Sequence, residues 1–377
     1  MVGGGRGAFI GGVHRLCARM DGQYELVAGA LSSDPERAKE SGAELGLARD
    51  RVYTNFADMA AAEAHRAGGD GIEVVSIVTP NDSHHAIARA FLDRGIDVIC
   101  DKPMTTTVAD ALDLVQTVQR TGLVFGVTHN YTGYPMVRQA REMIAAGELG
   151  EIRIVNVEYV QDWLTTKVED TGQKQAAWRV DPSRAGAGGS LGDIGTHAHN
   201  LACFVTGLAV RELAADVSRM VPGRKLDDNA HILLRFEHGA RGMLWSSQVA
   251  PGNENGLRLR VYGEKGGLEW HQEHPNQLRF TPTGKPPQML SRGGPSLGAA
   301  APRATRIPSG HPEGYLEAFA NLYRDLAEQI RARRAKRKPD PAALLVPTVK
   351  DGADGVRFIH AAVESSERNA AWVRLGA

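Results

Sequence analysis

The sequence predicts an α/β domain built on a doubly wound parallel sheet, residues 1–130, followed by an α+β domain, residues 131–377. The second domain is expected to hold a large, open, mainly antiparallel sheet. Three observations carry this reading. The first 130 residues alternate short apolar runs with stretches of helical periodicity. Beyond residue 131, β-rich segments follow one another with only short turns between them. A chain of 377 residues is also long enough for about two cores.

In the first domain the apolar runs at 25–28, 72–78, 96–100 and 123–127 read as strands, and 34–45, 84–94 and 108–120 as helices. Strands that are nearly continuous in apolar residues belong to a parallel sheet covered on both faces. Asp34-Pro35-Glu36 is a helix start: a cap, a proline at the first helical position, then an acid. In the second domain 152–160, 230–236, 242–248, 257–262 and 278–281 read as strands, with turns at His238-Gly239 and Gly263-Glu264-Lys265-Gly266. Residues 282–312 are rich in Pro, Gly and Ser and read as a long loop. Helices near 313–336 and 348–370 close the chain and are expected to pack back on the first domain. No internal repeat is visible.

Composition excludes several functions. Lys plus Arg and Asp plus Glu both number 44, so no net field recruits nucleic acid or an anionic membrane. No apolar run approaches the roughly 20 residues a membrane helix needs. Cys17, Cys100 and Cys203 form neither a disulfide framework nor a zinc spacing, which suits a reducing, cytoplasmic compartment. The basic run through Arg331, Arg333, Arg334, Lys336, Arg337 and Lys338 ends a predicted helix, where cations complement the dipole. The glycines begin at Gly3, so the first strand reads as truncated, with the natural start and any export signal upstream.

Gly3-Gly4-Gly5-Arg6-Gly7-Ala8 fits G-x-G-x-x-G/A, a pattern that turns sharply and brings backbone against a pyrophosphate at a helix N-terminus. Gly3, Gly5 and Ala8, with Phe9 and Ile10 opening the helix, are the candidate dinucleotide-binding segment; Gly11 is an alternative third glycine. The next strand should end on an acid for the adenosine ribose, yet here it ends Leu31-Ser32-Ser33-Asp34. Ser32, Ser33 and Arg37 are the candidate contacts, and they leave both NAD and NADP open, with NAD preferred.

Asp101-Lys102-Pro103 follows directly after an apolar strand, at the end where open α/β sheets place ligands. A lysine there can hydrogen-bond a substrate oxygen; taken alone it is equally a solvated loop residue. The run Gly186 to His197 holds Asp193 and His197, four residues apart and therefore on one face of a helix. An imidazole is suited to taking a hydroxyl proton, and a carboxylate beside it would orient it. The competing reading is a capped helix with a structural histidine. His199, two residues from His197, points elsewhere, so no metal is expected.

The glycine loop, Thr79-Pro80-Asn81 with His84, Asp101-Lys102-Pro103, Trp178-Arg179 and the run through Asp193 and His197 occur in a familiar order. Together they resemble the glucose–fructose oxidoreductase, inositol dehydrogenase and rhizopine-catabolism (Gfo/Idh/MocA) family, across almost the whole chain. The resemblance implies an N-terminal Rossmann domain, bound NAD(P), and a C-terminal sheet domain that forms a homo-oligomer, dimer or tetramer. It implies that Lys102 polarises the reacting hydroxyl, with Asp101 in place of the family's glutamate near the nicotinamide ribose. It makes Asp193 and His197 the catalytic pair, with His197 the proton acceptor. Asn200 stands where many members carry a further aspartate. Thr79, Pro80, Asn81, His84 and Asn130 become cofactor contacts, His84 by packing rather than catalysis.

Tyr131, Trp163, Trp178 and Arg179 are candidate substrate contacts, because aromatic faces and planar donors suit polyols. Each fits a core or interface position equally well. The segment Asn253-Glu254-Asn255 and the loop around His311 are further candidates to reach the substrate. The leading expectation is hydride transfer between nicotinamide and a secondary hydroxyl of a sugar, inositol or glycoside. An NAD-dependent glycoside hydrolase without net redox, and a non-catalytic dinucleotide-binding regulator, use the same residues.

Overall fold

The computed structural model describes residues 1–66 and 69–376. The chain divides into two units, Met1–His129 with Phe319–Ala353, and Asn130–Ala318 with Asp354–Ala377.

In the first unit β1 (Val2–Gly3) leads into α1 (Phe9–Met20), followed by α2 (Pro35–Glu44) and α3 (Phe56–Ala64). Next come β2 (Val74–Val78), α4 (His84–Leu92), β3 (Asp97–Cys100), α5 (Val108–Thr121) and β4 (Phe125–Val127). The four strands are parallel in the order β1-β2-β3-β4, with Ile77 opposite Val2 and Cys100, and Ile99 opposite Gly126. The cap at Asp34 falls where the sequence places it, its side chain accepting from the Arg37 N–H, and Thr107 caps α5 by accepting from the Asp110 N–H. One expected strand is absent. Residues 25–28 carry no strand; the pairing falls later, as single bridges Val2 to Ala30 and Gly29 to Val52. The acceptors and donors of that ladder, from Ala28 to Leu31, are too few to propagate it.

The later helix α11 (Tyr315–Arg334) supplies Tyr323 to a buried cluster with His14 of α1 and Ser76 of β2. The Tyr323 hydroxyl lies 2.7 Å from His14 Nδ1 and 3.0 Å from Ser76 Oγ, and burial lowers the imidazole to about 4. The basic run at the end of α11 makes ion pairs: Arg333 meets the buried Asp97 at 2.8 Å, and Arg337 meets Glu328 at 2.6 Å.

The second unit contains α6 (Pro135–Ala145), β5 (Ile152–Val160), α7 (Lys174–Arg179), α8 (Pro182–Ala185) and α9 (Thr196–Thr206). Strands β6 (Val210–Ser218), β7 (Asn229–Phe236), β8 (Arg241–Ser247), β9 (Gly256–Gly263) and β10 (Gly266–His271) follow. Then come β11 (Gln277–Pro282), β12 (Gln288–Ser291) and α10 (Ala300–Arg303). After α11, α12 (Val349–Glu367) and β13 (Val373–Arg374) close the chain.

The sheet order is β12-β11-β10-β9-β5-β8-β7-β6-β13, antiparallel except for β5 beside β8. Strand alternation puts Val155, Val157 and Tyr159 into a core shared with α6, α9 and the second half of α12. Ile154, Leu233, Met243, Tyr262 and Met289 stay exposed. Strand β6 escapes sequence pattern because a register shift between Val210 and Glu212 breaks its alternation. The expected loop 282–312 contains β12 and α10 instead. Arg292 staples the rest of it, donating to Asn276, Glu313 and the Ile307 carbonyl.

In the first unit Glu63, with no exposed side-chain surface, accepts from Arg51 at 2.5 Å and from the Tyr53 hydroxyl at 2.9 Å. Glu63→Ala would strand the buried guanidinium, at a cost of about 3–5 kcal/mol. The expected result is a lower urea midpoint by circular dichroism.

Candidate active site

The first unit carries the glycine turn at the carboxyl end of β1. Gly3, Gly4 and Gly7 all have positive φ, near 75–79°. A Cβ on Gly5 would stand 2.6 Å from the Leu31 carbonyl, and one on Gly11 would stand 2.3 Å from the Gly4 Cα. Gly11 therefore makes the tight helix-to-loop approach, while Ala8 is the N-cap of α1. That helix start has no side-chain cap and no acid in its first turn, which leaves its N–H groups and dipole to an anion. Phe9 is 68% exposed beside it, and Ile10 is half-buried against the small cluster of Met1, Leu31 and Val78.

Beyond the next backbone turn, Ser32 Oγ accepts the Asp34 N–H at 3.1 Å, with Ser33 and Arg37 exposed nearby. After β2, Ser83 donates to Thr79 Oγ1 at 2.7 Å, Pro80 is half-buried and Asn81 is buried. His84 lies 2.8 Å from the Thr79 carbonyl and 2.9 Å from the Pro103 carbonyl. It thus ties the loop after β2 to the turn after β3, a positional role. Asp101 is drawn inward: its Oδ1 accepts from the Lys102 N–H at 2.8 Å and from Thr128 at 3.0 Å. Its Oδ2 lies 4.0 Å from His14 Nε2. Lys102, half-buried, follows at the carboxyl end of β3.

Whether these residues suit a dinucleotide can be tested on the structure itself. The cradle closes if Gly3, Gly4, Gly5 or Gly11 gains a Cβ, and the helix behind it is uncapped. The residues fit.

The second unit carries the other set. Asp193 lies on a π turn, Leu191–Gly195, and His197 is the second residue of α9, which continues it. His197 is 7% exposed and meets the Tyr131 ring edge-on, with centroids 4.9 Å apart. The Tyr131 and Tyr159 hydroxyls hydrogen-bond each other, and Tyr159 donates to Asn255 Oδ1 at 2.7 Å. Gln161 donates to the same oxygen at 2.8 Å and accepts the Trp163 indole N–H at 3.0 Å. Gln248 donates to Asp193 Oδ2 at 2.9 Å, and Arg179 Nε lies 3.3 Å from that oxygen. The Arg179 guanidinium stacks over Trp178 at 4.4 Å. Burial raises both the Tyr131 and Tyr159 phenols, so they remain hydroxyl donors and acceptors.

Thus Asp193, Arg179, Trp163 and Tyr131 join one polar chain that runs past His197. His199 does not join it: it stacks on Phe358 at 4.4 Å, and burial lowers it to about 4. Among the described residues no group of three or more His, Cys, Asp or Glu could hold a metal. Tyr159, Gln161 and Gln248 escaped the sequence reading. The available signal was a polar residue directly after each of two apolar strands, β5 and β8.

Both halves of the chain match known proteins. Residues 1–129 match the oxidoreductase family, NAD-binding Rossmann fold, and residues 137–269 match the GFO/IDH/MocA C-terminal domain. An uncharacterized oxidoreductase of Bacillus subtilis, YfiI, is 38% identical over 99% of this chain and 95% of its own. The crystal structure of an oxidoreductase from Sinorhizobium meliloti is 55% identical, with a TM-score of 0.89 over 99% of this chain and 98% of that one. An inositol dehydrogenase homolog from Azotobacter vinelandii, complexed with NADH and myo-inositol, is 40% identical, with a TM-score of 0.91 over 99% and 96%. A Rossmann sheet followed by a nine-stranded, mostly antiparallel sheet, matched over nearly its whole length, makes this chain a member of the Gfo/Idh/MocA family of NAD(P)-binding oxidoreductases.

Proposed function

We propose that the chain is a dehydrogenase acting on a secondary hydroxyl of an uncharged sugar or cyclic polyol, with NAD as the preferred cofactor. The observation that carries this is the polar chain beside His197. Its members are amides, phenols, an indole and the Arg179 guanidinium, which lies 3.3 Å from the Asp193 carboxylate and is matched by it. Such a set matches alternating hydroxyl donors and acceptors and offers little to an anionic substrate. The myo-inositol held by the Azotobacter relative is of this class, and that relative also holds NADH.

Gly3, Gly5, Gly11 and the start of α1 would hold the pyrophosphate, with Ser32 and Arg37 at the adenosine end and Thr79, Asn81 and Asn130 along the remainder. A bound nicotinamide supplies the hydride acceptor or donor. His197 removes the hydroxyl proton at an imidazole nitrogen, and Lys102 hydrogen-bonds the same oxygen and stabilises its developing charge. Asp193 favours the protonated imidazole electrostatically, and Arg179 and Gln248 hold that carboxylate in place. Tyr131 and Trp163 orient the ring of the substrate. The three cysteines are free thiols, which supports a reducing, cytoplasmic setting.

Lys102→Ala and His197→Ala should each lower kcat roughly 10²-fold or more while NADH still binds. With sugars and inositols as substrates, reduced cofactor should accumulate steadily; product release at constant absorbance would identify the redox-neutral hydrolase instead. Asn130→Ala should weaken NADH binding about tenfold in a fluorescence titration, the worth of one hydrogen bond. We also propose a homo-oligomer, dimer or tetramer, through the open face of the large sheet, where Leu233 and Met243 are register partners exposed at 57% and 43%. Leu233→Arg with Met243→Arg should yield a smaller species by light scattering; an unchanged mass would refute that interface.

A further inference from the structure

Asp227 lies between β6 and β7 and is 6% exposed, in the same unit as Asp193 and His197. Its carboxylate accepts two backbone donors from the glycine-rich run: the Gly189 N–H on Oδ1 at 2.6 Å and the Leu191 N–H on Oδ2 at 2.8 Å. Its own carbonyl accepts the Ser190 N–H at 2.9 Å. Three consecutive N–H groups therefore end on one residue. These are the donors that a helix start leaves unsatisfied, and here the helical segment begins with the π turn bearing Asp193. Gly189 is required for the approach, since a Cβ there would stand 2.2 Å from the Asp227 carbonyl.

The same joint fixes Asp193's partner. The Asp228 carbonyl accepts the Gln248 N–H at 2.9 Å, and Gln248 Nε2 reaches Asp193. Asp228 is itself held by the Met220 and Val221 N–H groups and by Arg224. Ser190 and Ser246 add a hydroxyl pair at 2.8 Å. The two aspartates thus place both halves of the Asp193–Gln248 contact from one short loop.

We infer that Asp227 is a positioning residue for the reaction: its buried carboxylate caps the segment carrying Asp193 and His197 and sets where the imidazole stands. It touches neither reacting atom and acts through the backbone of residues 189–191. This rests on the reading of His197 as the proton acceptor. A displacement of about 1 Å at such a group costs roughly 10²-fold in rate, far more than it costs in binding.

The test is Asp227→Asn, which keeps the shape but turns one acceptor into a donor facing an N–H. The expected outcome is a folded protein, by circular dichroism, whose kcat falls ten- to a hundredfold with the NADH dissociation constant unchanged. Asp227→Ser, shorter but able to accept one N–H, should recover part of that kcat. Wild-type kcat in folded Asp227→Asn, or loss of NADH binding in step with kcat, overturns the inference. Failure of both variants to fold overturns it too, since the carboxylate would then serve folding rather than placement. His197→Ala measured alongside separates the two claims. Full turnover there sinks the reading of His197, whereas loss there with none in Asp227→Asn sinks only the role of Asp227.

Discussion

Strands β5 and β8 run parallel in a sheet whose other pairs are antiparallel, and that pairing sends two strand ends out of one edge side by side. Tyr159 pairs with Ser246 and Val160 with Ser247, so the next residues, Gln161 and Gln248, emerge together. Gln161 N–H donates to the Ser247 carbonyl at 2.8 Å, which locks the register at the point where the sheet ends. From there one amide reaches Asn255 and the other reaches Asp193. An antiparallel arrangement would put the two ends on opposite edges and leave the carboxylate without its neutral partner.

The first unit obeys a different constraint, the closeness of backbone to backbone. Helix α1 can begin beside β1 only because Gly4 and Gly11 have no side chains to keep them apart. That closeness also aims the free N–H groups of α1 over the turn. Polar cross-links then tie neighbouring loops: His84 joins the loops after β2 and β3, and Asp101 joins the turn at Lys102 to Thr128 after β4. One carboxylate oxygen of Asp101 is thereby spent on the protein's own donors. Lys102 is held by the chain rather than left to a flexible loop.

Much of this was legible in the sequence where chemistry is local. The cap at Asp34, the glycine turn, and a lysine after an apolar strand depend on a few adjacent residues. What was not legible depends on partners far along the chain. Residues 25–28 look like a strand, yet the ladder available to them falls three residues later. Strand β6 hides behind its bulge, and the Pro- and Gly-rich 282–312 is held by Arg292, whose acceptors lie on both sides of it, and by Gln139 and Glu142, which accept the N–H groups of residues 298–300. The spacing of Asp193 and His197 suggested a helix face; it could not reveal a π turn, because the donors that stabilise that turn end on Asp227, 34 residues after Asp193. Gln161 and Gln248 are ordinary strand-end residues until the pairing of β5 with β8 is known.

The electrostatics of the second unit follow from the same placements. Asp193 is a carboxylate between a guanidinium and an amide, so its charge is matched and its geometry fixed. Tyr131 and Tyr159, buried and kept as phenols, add no charge of their own beside His197. The His197 ring packs against those two neutral phenols, 4.9 Å from Tyr131 and 6.2 Å from Tyr159 between centroids, so the polar network sets balanced charge and neutral hydroxyls on that side of α9.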